Sequence, residues 1–234
     1  MIIYAVVPAR SNSIRLKNKN ILKLCGLPLF MHSINFAKKL KFVKKIIFTT
    51  DSENYINKIR NFKKLIIHKR SKKASKNKAM EEDILKDLLV FFEKKKFQKP
   101  DAILWLRPTS PLRSIFIFKK GYQKLIRYRK TVMIVHEEES RLFKNTGNYL
   151  IPIQKVMSNR SMIRGQDVKP FYSIFSGEFF MLKKKITKNF LGNKKLFIVS
   201  PKYTNVDIDT KEDFVFLSKL IKENKKIYNK FLHV

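Results

Sequence analysis

The chain opens Ile2-Ile3-Tyr4-Ala5-Val6-Val7-Pro8-Ala9-Arg10-Ser11-Asn12-Ser13, an apolar run followed at once by a loop of cations, hydroxyls and amides. A short run that is apolar at every position, not at alternate ones, suits a strand covered on both faces. Similar runs at 45–49, 65–68, 102–106, 131–136, 177–182 and 196–199 are the remaining strand candidates. Between them, residues 29–40, 53–61, 81–95, 115–129 and 211–229 carry apolar side chains at three- and four-residue spacing, which predicts helices. This alternation is the rhythm of βαβ units. It predicts an α/β fold, a mostly parallel sheet with helices on both faces.

One stretch interrupts the rhythm. Residues 141–153 contain Asn145-Thr146-Gly147-Asn148, a turn signal between short extended segments, and read as a hairpin; 154–170 are polar and without period. An insertion of this kind, at about 140–175, suits a lid, a substrate pocket or a dimer arm. There is neither an internal repeat nor a linker of Pro, Gly and Ser, so residues 1–234 read as a single domain.

Composition narrows the function classes. The chain has 234 residues, 44% of them hydrophobic, enough to bury a core of ordinary size. No apolar run approaches the roughly 20 residues of a membrane span, and the amino terminus lacks the pattern of a signal peptide, so the expected location is the cytoplasm. One cysteine, Cys25, excludes an internal disulfide, and four scattered histidines lack paired zinc-ligand spacing. The formal charge of +34 raises the question of nucleic acid. Its lysines fall in short dispersed clusters, such as 69–78, 94–99 and 183–185, so a solvated surface is expected, not a specific nucleic-acid site.

Three segments carry candidate chemistry. Ligands of doubly wound sheets collect beyond the carboxyl ends of strands, where the loop 8–20 lies. Arg10, Arg15, Lys17 and Lys19, with Ser13 and Asn20 nearby, offer charge-assisted hydrogen bonds to a triphosphate. The loop has no glycine, so it is neither a Walker loop nor a dinucleotide fingerprint. The second is Arg107-Pro108-Thr109-Ser110-Pro111-Leu112-Arg113, whose prolines predict a rigid turn after the strand 102–106. The third is Asp207-Ile208-Asp209-Thr210. In extended chain both carboxylates share a face while Ile208 turns inward, an arrangement that suits a divalent cation with oxygen ligands. The competing reading has Asp209, with Thr210 and Asp213, capping the last helix.

Together these segments resemble the acylneuraminate cytidylyltransferase family over nearly the whole chain. Ala9-Arg10 with Asn12-Ser13 and Lys19-Asn20-Ile21 is similar to its first motif, followed by Gly26-Leu27-Pro28-Leu29 and Thr49-Thr50-Asp51-Ser52. Pro108 to Arg113 is similar to its central motif and Asp207 to Thr210 to its last. The resemblance implies a Rossmann-like nucleotidyltransferase domain, a homodimer, and a reaction joining CTP to a sialic-acid-like nonulosonate with magnesium. It assigns phosphate contacts to Arg10, Arg15 and Lys19, and nucleotide contacts to Ser13, Asn20, Arg70, Arg107, Pro108, Thr109 and Ser110. It assigns the metal to Asp207 and Asp209, catalysis to Arg10, Arg15, Lys19 and Asp207, and the sugar to Arg164 and Gln166.

The chain departs from the family at three places. Ile14 stands where a lysine is usual, leaving Arg15 to supply the cation; Arg107 stands for glutamine; and Ser176-Gly177-Glu178 stands for Asn-Gly-Ala. Two alternatives follow, a nucleotidyltransferase for another acceptor, such as a Kdo-like octulosonate or an amino sugar, and a non-catalytic basic protein that binds polyanions.

Overall fold

Every side chain from Ile3 to Val7 is fully buried, and strand alternation decides which layer each enters. Ile3, Ala5 and Val7 join one core cluster and Tyr4 and Val6 another on the opposite face. The run therefore reads as apolar throughout because both faces are covered. In the computed structural model, the described residues are 1–11, 13, 15–60, 62, 65–159, 162–174, 177–182, 191 and 193–233.

In chain order the elements are β1 (Ile3–Pro8), a short hairpin of β2 (Lys23–Leu24) and β3 (Leu27–Pro28), α1 (Leu29–Lys39), β4 (Val43–Thr50), α2 (Glu53–Ile59), β5 (Leu65–Lys69), α3 (Glu81–Lys94), β6 (Ala102–Trp105) and α4 (Ile115–Tyr128). Then come β7 (Val132–Glu138), the hairpin β8 (Phe143–Asn145) and β9 (Leu150–Pro152), β10 (Phe171–Ser173), β11 (Phe179–Leu182), β12 (Leu196–Val199), α5 (Lys211–Glu223) and α6 (Lys225–Tyr228). The main sheet runs β10-β7-β11-β6-β1-β4-β5, with β12 also paired to β7. Strands β6, β1, β4 and β5 are mutually parallel, and β12 is parallel to β7. β11 lies antiparallel between β6 and β7, and β10 is antiparallel to β7.

Helices cover both faces, as the alternation predicts. Phe30, Ile34 and Phe36 of α1, Tyr55 and Ile59 of α2, and Ile117, Phe118 and Leu125 of α4 share the cluster that holds Ile3, Ala5 and Val7. Ile84, Leu85, Leu88 and Phe92 of α3 cover Tyr4, Val6, Ile103 and Trp105 on the other face. A third cluster seats α5 and α6 through Leu217, Ile221 and Tyr228 against Leu24, Leu29, Leu112 and Ile208. It brings the chain around Ile208 beside the β6 loop.

One expectation is corrected and one element is added. The helix expected over 211–229 breaks at Asn224, whose backbone (φ −121°, ψ 42°) leaves the helical region and whose side-chain Nδ2 donates to the carbonyl of Leu220 at 3.1 Å. Just beyond the stretch 154–170, which holds no strand among its described residues, lies a strand, β10, absent from the expected set. The hairpin itself falls within 141–153, with Gly147 at φ +93°, a conformation that favours glycine. Ile14 and Ser176, two of the family departures, and Asn12 of the first motif lie outside the described residues.

Candidate active site

The carboxyl ends of β1, β5 and β6 open onto a cleft of about 400 Å³, the position in which open α/β sheets take their ligands. It gathers segments far apart in sequence. Arg10, Arg15, Lys19, Arg70, Lys76 and Arg107 line it together with Asp207, Asp209 and Glu81. Asn20, Pro108 and Thr109 complete the expected set that the fold brings together. Ser13 and Ser110 are not among the lining residues, and Ser110 is buried. Arg164 and Gln166 also lie outside the cleft, on exposed chain, where Arg164 Nε donates to Asp167 Oδ2 at 3.0 Å.

Side chains from neighbouring segments, not glycines, shape the loop after β1. The backbone N–H of Ala9 donates to the carbonyl of Thr49 at 2.9 Å, extending the β1–β4 ladder one step. Asp51 then accepts from the Ser11 backbone N–H at 2.8 Å and from its hydroxyl at 3.1 Å. Asn20, nearly fully buried, donates its Nδ2 to the Arg10 carbonyl at 2.9 Å. That amide spans the loop and fixes Arg10 from below. Asp51, which the sequence marked only as a motif member, and Asn20, expected at the nucleotide, therefore set the backbone that presents Arg10.

The third segment has the alternation expected of it. Ile208 is fully buried and its N–H donates to the Thr109 carbonyl at 2.9 Å, while Asp207 and Asp209 both face the cleft. The competing cap reading is decided by Thr210. Its hydroxyl accepts from the Asp213 N–H at 3.2 Å, and Asp213 accepts from the Thr210 N–H at 2.8 Å, a reciprocal capping box. The Asp209 carboxylate is thus not the cap. Its two oxygens pair with Lys19 Nζ at 2.7 Å and Arg15 NH2 at 2.6 Å.

Asp207 differs. Burial pushes its carboxyl up from the ordinary value; the Thr109 hydroxyl opposes the shift, Asp209 adds to it, and Arg107 and Lys19 pull it back. Its Oδ1 is buried without a hydrogen-bond partner, a condition that costs free energy unless something else satisfies it. No group of three or more His, Cys, Asp or Glu side chains among the described residues is arranged to hold a metal. Magnesium does not require one, because it is commonly held by one or two carboxylates together with substrate phosphates. The unpartnered oxygen of Asp207, on a residue that lines a cationic cleft, fits that mode.

The sequence reading missed the wall formed by 74–81, the chain leading into α3. It treated the lysines of 69–78 as solvated surface, yet Lys76 lines the cleft beside Asn77 and Met80. Glu81, at the start of α3, accepts from Arg107 NH2 at 2.6 Å. Behind Arg107, Gly177 has φ +58°, and a Cβ there would lie 2.7 Å from the Arg107 guanidinium carbon. The next residue, Glu178, is buried and paired through Oε1 with Arg113 Nε at 2.7 Å. Arg107, Gly177 and Glu178, which depart from the family pattern or belong to a segment that does, are therefore neighbours in space. The signal for this was available: an arginine in place of a neutral side chain requires space and counter-charge, which Gly177 and Glu81 provide.

Residues 4–94 match the cytidylyltransferase family model. The chain is 30% identical over 239 residues to the N-acylneuraminate cytidylyltransferase of Streptococcus agalactiae serotype III, a match covering 95% of this chain and 56% of that protein. It spans about half the length of the N-acylneuraminate cytidylyltransferases it matches. Against the CMP-N,N'-diacetyllegionaminic acid synthase of Legionella pneumophila the identity is 25% over 252 residues, covering 97% of this chain and 99% of that one. In fold it is similar to a CMP:2-keto-3-deoxy-manno-octonic acid synthetase complexed with CTP, with a TM-score of 0.65, 14% identity, and 95% and 99% of the two chains covered.

Proposed function

We propose that this chain transfers the cytidylyl group of CTP to a sialic-acid-like nonulosonate, releasing pyrophosphate. The observation that carries the proposal is the facing of five arginines and lysines from loops 8–20, 70 and 107 against the carboxylates of Asp207 and Asp209 in one cleft. Two anionic substrates and a pyrophosphate leaving group need such a field, and phosphoryl transfer is mainly a matter of positioning and charge stabilisation. The names of the relatives support the acceptor class.

In this reading Arg10, Arg15 and Lys19 hold the triphosphate, Arg70, Asn20, Pro108 and Thr109 shape the nucleotide seat, and Arg107 stands at the boundary with the acceptor. Asp207 and Asp209 would hold magnesium, which would supply charge neutralisation on the phosphates. The ion pairs of Asp209 with Arg15 and Lys19 keep both cations beside the carboxylate and aimed into the cleft. The anomeric oxygen of the sugar bonds to the α-phosphorus as the bond to the β-phosphate breaks. A sugar contact by Arg164 and Gln166 would require the 140–175 segment to be carried over a cleft, its own or that of a second copy. Tyr149 and Leu150 of the hairpin are 74% and 68% exposed, which supports a homodimer formed through this arm.

No helix among the described residues is long and apolar enough to cross a membrane; we place the reaction in the cytoplasm, where CTP is made. Arg107 keeps a second reading in view, a different sugar acid as acceptor, because it replaces a neutral residue with a cation. Calorimetric titration with CTP, UTP, ATP and GTP tests the nucleotide half of the proposal. CTP should bind at least tenfold more tightly than the others; equal binding of all four would refute a cytidine seat.

A further inference from the structure

Behind the cleft, four side chains that no motif of the chain singles out as a set lie in a line. Arg70 is 8% exposed and lines the cleft. Its Nε donates to the Thr49 hydroxyl at 3.1 Å and its NH2 to the Thr49 carbonyl at 3.1 Å. The same hydroxyl lies 2.9 Å from His68 Nδ1, and His68 Nε2 lies 3.3 Å from Asp87 Oδ2. Asp87 Oδ2 is itself held by the Ser71 N–H at 2.8 Å.

Proton bookkeeping gives this line a direction. Burial pushes the His68 imidazole down to about 4, so near neutrality the ring carries a single N–H. Its Nε2 faces a carboxylate, and a bare nitrogen there would oppose two lone pairs, so the proton sits on Nε2. Nδ1 is then an acceptor and the Thr49 hydroxyl must donate to it. Arginine can only donate, so its Nε takes a lone pair of that hydroxyl. Each group has one role available, and the Thr49 hydroxyl, its proton committed to His68, offers a lone pair to Arg70 Nε in its observed position.

We infer that Thr49 and His68 are positioning residues that hold the buried guanidinium of Arg70 in place for the nucleotide, with Asp87 fixing the histidine. The inference rests on the proposed nucleotide site and adds to it the parts that orient one of its cations. A buried arginine has several rotatable bonds, and fixing them before the ligand arrives removes an ordering cost from binding.

The test uses the full chain. Thr49→Val preserves shape and removes the hydroxyl; Thr49→Ser restores it. CTP affinity by calorimetry should fall about tenfold in Thr49→Val, the scale of one hydrogen bond to a charged group, and return to the parent value in Thr49→Ser. KM for the sugar and kcat should change by less than about twofold. Nitrogen-15 spectra of the parent should show His68 with Nε2 protonated and Nδ1 bare at pH 7. Parental CTP affinity in Thr49→Val, equal losses in the valine and serine variants, or a protonated Nδ1 would each overturn the inference. Failure of the parent to bind CTP at all would instead overturn the nucleotide site, and this inference with it.

Discussion

Asp207→Asn keeps the size of the side chain and removes its charge. Its neighbour Asp209 is neutralised by Arg15 at 2.6 Å and Lys19 at 2.7 Å, so Asp207 supplies most of the uncompensated negative charge facing a bound triphosphate. One of its oxygens is buried without a partner. Loss of a preorganised contact of this kind lowers turnover by roughly 10²- to 10³-fold, about 2.7–4 kcal/mol of transition-state stabilisation. Stability without metal should move the other way or stay level, because the amide relieves both the burial that pushes Asp207 up and its repulsion from Asp209. The assay is CMP-sugar formation across a magnesium titration for parent and variant, with thermal melts in chelator alongside. Near-parental turnover at an unchanged magnesium midpoint would remove Asp207 from the metal site. A large melting loss in chelator would show that its role is structural.

Arg10→Ala should weaken CTP binding about tenfold with little change in melting temperature, because among the described residues its side chain makes only a long hydrogen bond, 3.5 Å from NH1 to the Asn77 carbonyl; paired melts and titrations check this. Gly177→Ala should destabilise the chain by about 1–2 kcal/mol and reduce turnover, since φ is +58° and the new Cβ would lie 2.7–2.9 Å from the Arg107 guanidinium; unchanged denaturant midpoint and turnover would refute the packing described. Burial raises the Glu178 carboxyl to about 7 from 4.5, against the pull of Arg113. Its folded pKa lies above the unfolded one, so its contribution to stability is full below about 4.5 and is lost as pH rises through about 7. The melting-temperature advantage of the parent over Glu178→Gln should therefore be larger at pH 5 than at pH 8, and the reverse trend would mean that Arg113 holds Glu178 ionised.

Strands were legible because their coverage on both faces leaves a continuous apolar run, and all seven expected main strands begin within two residues of their expected starts, as with β12, whose limits coincide with 196–199. Apolar runs do not report strand direction, so the antiparallel placement of β11 was invisible in them. β10 was missed because Phe171–Ser173 is three residues long and only partly buried. The cleft was legible where chemistry clusters locally, as in 8–20 and 207–209. It was not legible at 74–81, where lysines look solvated until α3 returns across the end of β6. The cap at Thr210 shows the remaining ambiguity: Asp209, Thr210 and Asp213 are adjacent in sequence, and only geometry separates the capping pair from the carboxylate facing Lys19.

The central claim is a sugar-dependent cytidylyl transfer, and pyrophosphate release from CTP measured with and without a panel of acidic nonulosonates and octulosonates tests it most directly. The account predicts release that requires magnesium and a nonulosonate, with one CMP-sugar formed for each pyrophosphate. Release that is independent of every sugar offered, or CTP binding with no release across the panel, would contradict it.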